Sequence, residues 1–287
     1  MSCPDCFRGF THDYAEPTGT ELLLHGVRTY SAGHPGQRSS PSTIIFFTDV
    51  FGLSLVNNKL LADYFASQTG CTVLVPDLVP GGGLQPSCFE IMDCFVTPVR
   101  WWDIYGQLMR LFSAIRMLGF FLPIALGTKA AYPRVLAYTR AVKANLPAGG
   151  KLGVAGYCWG GLQSTKLSQE PATEGGDARL IDAHYTAHPS SLKLPYDLVQ
   201  SVEKFKVPLS LASGDGDFAV TPKRMLELEV AMRQKFGDGN GEYAYELKMY
   251  QDCKHGFAIR ANLKRKQEDA AAEEAAIQAI KWFKRFL

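Results

Sequence analysis

The 287-residue chain lacks a charge excess: 30 Lys and Arg stand against 28 Asp and Glu, a formal net charge of +2. A balance this even gives no reason to expect nucleic acid or a membrane as partner. A disulfide framework is lacking too. The seven cysteines, at positions 3, 6, 71, 88, 94, 158 and 253, are odd in number and irregular in spacing, so at least one thiol stays free and a reducing, cytoplasmic setting is expected. Cys3 and Cys6 form a lone C-x-x-C pair with no second pair to complete four ligands, so no structural zinc is expected, and no other metal or cofactor. Met1 to Thr11 carries Asp5 and Arg8 and has no apolar core of the kind an export signal needs. Clean long apolar runs are also missing. The one stretch near membrane length, Leu111 to Gly127, is 17 residues broken by Arg116 and Pro123, and it reads as a buried or cap-forming helix rather than a span.

What is present is an ordinary globular composition, 46% hydrophobic and 20% charged, without repeats or linkers. Short apolar runs rich in β-branched residues recur at Glu21 to Leu24, Val27 to Ser31, Thr43 to Thr48, Thr72 to Val75, Leu152 to Ala155, Leu209 to Ala212 and Tyr245 to Tyr250. Several are apolar on both faces, as strands covered on both sides are. Helical patterns lie between them, at Leu53 to Ser67, Tyr132 to Asn145, Pro222 to Phe236 and Gln267 to Leu287. This alternation predicts an α/β fold with a mainly parallel central sheet flanked by helices. The aromatic segment 88–131 interrupts the rhythm and reads as an insertion, either a cap over a pocket or additional core packing.

The strongest local pattern is Leu152 to Gly161, a strand entering Gly156-x-Cys158-x-Gly160 and then a helix. This is the nucleophile-elbow pattern with Cys in place of Ser, in which flanking glycines permit the tight turn. The helix N-terminus behind it lowers a thiol pKa and offers N–H groups to an oxyanion. A thiol nucleophile needs a base, and the base an acid to orient it, in the chain order nucleophile, acid, histidine. Only His255 follows a credible acid loop, the turn holding Asp215 and Asp217. Both lie where strands end, the usual ligand edge of an open α/β sheet. His184 and His188 come too early in the chain to be the base and read as substrate-lining or structural.

Gly156-Tyr157-Cys158-Trp159-Gly160-Gly161, Gly214-x-x-Asp217-x-x-Val220-x-Pro222 and His255-Gly256-Phe257, together with Thr48 to Gly52 and Pro76-Asp77, resemble the dienelactone hydrolase family of α/β-hydrolases, closest to the branch common in fungi. The similarity runs from about Cys3 to Leu287. The resemblance implies one hydrolase domain over 1–287, with 88–131 as its insertion. It implies a Cys158/His255/Asp217 triad, Asp217 holding the family's acid position, and an oxyanion hole from the N–H groups of Val50 and Trp159. Asp49 stands where the family carries a Glu that modulates the thiol, one methylene shorter. Arg260, one residue late, matches an Arg that binds a substrate carboxylate, and a second such Arg would fall at Arg100 or Arg110. His188 is expected to line or modulate the same site. The implied partner is a small ester or lactone, carboxylate-bearing in the family, acted on by a monomer or homodimer through a thioester acyl-enzyme. Acyl transfer, thioester cleavage or cyclisation of a larger apolar substrate is the competing chemistry, and a non-catalytic ligand-binding or redox-sensing homologue the more distant one.

Overall fold

The computed structural model describes residues 15–33, 40–89, 91 and 99–287. Its centre is built from strands that have no polar face: β3 (Thr43–Phe47), β4 (Thr72–Pro76), β5 (Leu152–Tyr157) and β6 (Ala183–Ala187) are buried at every position. A strand with two apolar faces needs cover on both, which parallel crossovers supply. The sheet has eight strands in the order β1-β2-β4-β3-β5-β6-β7-β8, with β1 (Thr20–Leu24), β2 (Val27–Ala32), β7 (Leu209–Gly216) and β8 (Tyr245–Lys254) completing it. Among the described strands, β1 with β2 and β2 with β4 run antiparallel; every pairing from β4 through β3 to β8 is parallel.

The helices are α1 (Val56–Thr69), α2 (Ile104–Ala144), α3 (Trp159–Leu167), α4 (Tyr196–Glu203), α5 (Pro222–Phe236), the single turn α6 (Phe257–Arg260) and α7 (Lys266–Phe286). The charge order expected of α7 is present, Glu268 and Asp269 in its first turn and Lys284 and Arg285 in its last, which complements the helix dipole. Its buried Ala271, Ala275 and Ala279 carry no bulk, so Ile280 and Phe283 reach the core. A separate apolar cluster, including Leu198, Val202, Leu211, Leu228 and Met232, fills the space under α4 and α5.

Three elements depart from the sequence expectation. β6 was absent from the strand pattern because its residues read Ala-His-Tyr-Thr-Ala, and α4 is only eight residues long. The third departure is larger. From Ile104 on, the insertion expected over 88–131 and the helix expected from Tyr132 are one continuous 41-residue α2 that passes through Pro123 and Pro133. At ~1.5 Å per residue it runs about 60 Å, longer than the roughly 50 Å breadth of a compact chain of this size. Nor is it a buried helix: Ser113, Met117 and Ile124 turn inward, whereas Leu111, Ile115, Leu118 and Leu126 on the other side are more than half exposed.

Candidate active site

The elbow between β5 and α3 places Cys158 at φ 50°, ψ −108°, a left-handed conformation that costs a non-glycine residue ~1–3 kcal/mol and persists only where surroundings enforce it. They do so here. Cys158 N–H donates to Ala187 O (3.3 Å), and Cys158 O accepts from Gly161 N (3.0 Å) and Ser190 N (3.1 Å). The two flanking glycines are close approaches: a Cβ on Gly156 would strike Ser164 Oγ and Gly160 O, and one on Gly160 would strike the Phe47 carbonyl. The thiol is buried, with Ser190 Oγ at 3.8 Å from Sγ.

Asp217 and His255, the acid and histidine expected from the sequence, arrive from the ends of β7 and β8, beyond β6. β7 and β8 pair regularly to Gly214 and Tyr250, after which Gly216 pairs with Lys254, so two steps on β7 face four on β8. Such a bulge swings the longer strand and re-aims its side chains, and here it carries β8 into His255. His255 Nδ1 lies 3.0 Å from Asp217 Oδ2 and 3.1 Å from Oδ1, with both side chains wholly buried. Asp217 is fixed by the N–H groups of Ala219 (2.7 Å) and Val220 (3.3 Å). Asp215, the other carboxylate of the turn, is only half-buried and makes no hydrogen bond to His255 among the described residues.

His255 Nε2 makes no hydrogen bond of ordinary geometry. Burial opposes a charge on the ring, but the charge of the neighbouring Cys158, with the Asp217 carboxylate, outweighs it and raises the His255 pKa. The Phe218 ring packs on His255 at 4.6 Å, and the His188 ring meets it edge-on at 5.1 Å. His188 is fully buried with both ring nitrogens unbonded, and burial pushes its pKa well below the usual value. It sits among Tyr157, His255 and Phe257 rather than at an open surface. His184 belongs under the elbow: its Nε2 is 2.9 Å from Ser164 Oγ, and desolvation lowers its pKa to about 3.

Asp49 and Arg260 form a second buried pair, Oδ2 to Nε 3.0 Å, both side chains without exposure. Asp49 Oδ1 also accepts from Phe51 N (3.1 Å) and Asn58 Nδ2 (3.4 Å). The Arg260 guanidinium lies over the Phe51 ring at 5.2 Å and occupies the space a Cβ on Gly256 would need. Gly256 also adopts φ 92°, so glycine is required there twice over. Among the described residues, no backbone carbonyl outside helices and strands takes the N–H of Val50 or of Trp159, while the Trp159 indole N–H donates to Thr128 Oγ1 on α2 (3.2 Å). Arg100 lies over Trp102 at 5.5 Å and Arg110 is half-buried on α2; among the described residues neither is bonded to this site. Sequence reasoning missed Ser190, Asn58, Phe218 and Thr128. Phe218 adjoins Asp217 and Ser190 follows His188-Pro189, but nothing in their residue types marks them.

Cys71, Cys88, Cys158 and Cys253 are all unpaired and buried, while Cys3, Cys6 and Cys94 lie outside the described residues. Among the described residues no group of three or more His, Cys, Asp or Glu is placed to hold a metal ion.

Residues 27–287 match the model of the dienelactone hydrolase family. The chain is 28% identical over 286 residues to the hydrolase pyvD of Aspergillus violaceofuscus, covering 98% of this chain and 96% of that protein. It is 25% identical over 282 residues to dienlactone hydrolase 1 of Gibberella moniliformis, covering 96% and 91%. Among solved structures, a dienelactone hydrolase-like promiscuous phosphotriesterase from metagenomic libraries superposes with a TM-score of 0.56 at 14% identity, over 94% of this chain and 98% of that one. A thermophilic esterase of Thermogutta terrifontis gives 0.53 at 12% identity, over 92% of each chain. The solved structures share the fold, and the family match runs from the second strand to the last residue, so the chain belongs to the dienelactone hydrolase family and is a hydrolase acting on ester bonds.

Proposed function

We propose that Cys158, His255 and Asp217 act as nucleophile, base and orienting acid in the hydrolysis of a small carboxylic ester or lactone. The observation that carries this reading is His255, held by Asp217 through Nδ1 and interacting on its other side with the strained Cys158. The Cys158 proton passes to His255, whose raised pKa holds it there, and the thiolate attacks the ester carbonyl. The oxyanion rests on the N–H groups of Val50 and Trp159, each worth roughly 3 kcal/mol. Collapse expels the alkoxide, which receives the proton from His255 and leaves a thioester on Cys158. Water then loses a proton to His255, attacks the thioester and restores the thiol. With a lactone the leaving oxygen stays tethered, so one ring-opened hydroxy acid is the product.

Asp49 and Arg260 give this scheme its substrate dependence. A carboxylate on the substrate would exchange with Asp49 on Arg260, and the displaced Asp49 charge, brought near the Cys158–His255 pair, would help hold the proton on His255. Buried ion pairs are strongly destabilised when one partner is lost, so the exchange requires an anionic substrate group. The unpaired cysteines favour a reducing compartment, the cytoplasm. The contact of α2 with Trp159 favours a second reading in which a larger apolar substrate undergoes acyl transfer or cyclisation.

A panel of esters and lactones run with the wild type and Cys158→Ala tests the proposal. Turnover is expected to vanish in the variant, and a trapped acyl adduct on the wild type is expected by intact mass. An unchanged rate in Cys158→Ala overturns the scheme, and a product other than substrate plus water selects the transfer or cyclisation reading.

A further inference from the structure

The outward face of α2 breaks the usual rule for a protein surface. Of the 21 large hydrophobic side chains that are exposed among the described residues, 13 lie between Trp101 and Leu126. Ile104, Leu108, Leu111, Ile115, Leu118 and Leu126 are each 59–73% exposed. Contiguous apolar surface beyond a few hundred Å² marks an interaction site. By length and composition α2 qualifies to cross a membrane, but its inner stripe is already engaged: Met117 and Ile124 are buried, and Thr128 accepts from the Trp159 indole. A helix fastened along one side cannot be surrounded by lipid. It can lie flat, with one face in the headgroup and acyl boundary.

We propose that α2 seats this protein, in plane, on an anionic phospholipid membrane. Charge selects the occupant. No Asp or Glu occurs from Ile104 to Ala144, whereas Arg110, Arg116, Lys129, Arg134, Arg140 and Lys143 do. Arg140 and Lys143 are paired with Glu170 and Asp182 at the far end, but exposed Arg116 and Lys129 have no ion pair among the described residues. Trp101 and Trp102, 83% and 58% exposed, mark the other end, and such rings favour the headgroup level. A second copy fits this face poorly. An isologous antiparallel pairing centred on the patch sets Arg110 and Arg116 of one helix against those of the other, with no carboxylate on the face to neutralise them. Anionic headgroups supply the missing charge, worth most within a Debye length of the surface. The seating itself is independent of the chemistry assigned to Cys158.

The test uses the full chain with vesicles of phosphatidylcholine, with and without phosphatidylserine. Co-sedimentation with the serine-containing vesicles is expected, weakening as salt is raised. Brominated acyl chains are expected to quench tryptophan fluorescence, and the quenching reports Trp101 and Trp102 because Trp159 and Trp282 are buried. A triple variant, Leu111→Ser, Ile115→Ser and Leu118→Ser, is expected to lose at least tenfold in vesicle binding while its unfolding transition and its hydrolysis of a water-soluble ester are unchanged. Absence of both sedimentation and quenching overturns the proposal. Equal binding to neutral vesicles overturns its charge basis. A stable wild-type dimer that binds no vesicles and dissociates in the triple variant overturns it in favour of a second copy.

Discussion

The edge of the sheet around Cys158 and the outward face of α2 reverse the ordinary partition of side chains in opposite senses. Around the elbow Asp49, Asp217, His188, His255 and Arg260 are withdrawn from water; on α2 a row of Leu, Ile and aromatic side chains is given to it. Burying charge is costly unless it is paired, and exposing apolar surface is costly unless something covers it. The first region meets its cost internally, through the Asp217–His255 and Asp49–Arg260 pairs. The second has no internal cover among the described residues, and the membrane proposed above would supply it from outside the chain. A local rule broken without internal compensation points to function.

The largest test of this contrast removes the charge behind the proposed base. Asp217→Asn is expected to lower kcat by on the order of 10³–10⁴-fold while leaving the fold intact, measured by ester turnover beside circular dichroism. Next is the second pair. Arg260→Met strands a buried carboxylate and is expected to cost ~3–5 kcal/mol in urea unfolding, and the double variant with Asp49→Leu is expected to recover most of that loss. If the single change is harmless, the site is wetter than its burial indicates.

The His255 pKa is raised, to about 10, so the ring's charged form contributes stability that is complete below the ordinary histidine value near 6.5 and is lost as pH climbs toward 10. The stability advantage of wild type over His255→Gln, read from urea midpoints, is therefore expected to shrink across that window. The smallest effect belongs to α2. Leu118→Ala is expected to change stability by no more than about 0.5 kcal/mol, whereas Met117→Ala, one residue away and buried, is expected to cost ~2 kcal/mol or more. Equal losses at the two positions would mean that the outward face is packed.

Legibility in the sequence followed the same divide. The elbow was readable because its requirements are local: Gly156 and Gly160 sit within two residues of Cys158, and the strand before and helix after are adjacent in the chain. The meeting of Asp217 with His255 was less so, because spacing alone left Asp215 equally available, and the bulge opposite Gly214 to Gly216 has no residue signature. β6 escaped the pattern because His184 and Thr186 interrupt its apolar run; they are buried through Ser164 Oγ and the Gly156 carbonyl, partners far away in the chain. The helical insertion was legible, but its continuity with the Tyr132 helix and its exposed outer face were not. Apolar residues on both sides of the helix leave little periodic contrast to separate its inner stripe from its outer one, and Pro123 reads as a break that the helix passes through.

The two-against-four step between β7 and β8 separates the needs of the sheet from those of the chemistry. Removing two residues there would restore an unbroken ladder, which a β-sheet would tolerate or prefer. It would also shorten the reach of β8 by roughly 7 Å, at ~3.3 Å per residue, and draw His255 back down its own strand, out of range of Asp217 and Cys158. On the proposed chemistry the irregularity is a spacer whose length is set by the site, and a chain regularised for stability would keep its architecture and lose the histidine proposed as its base.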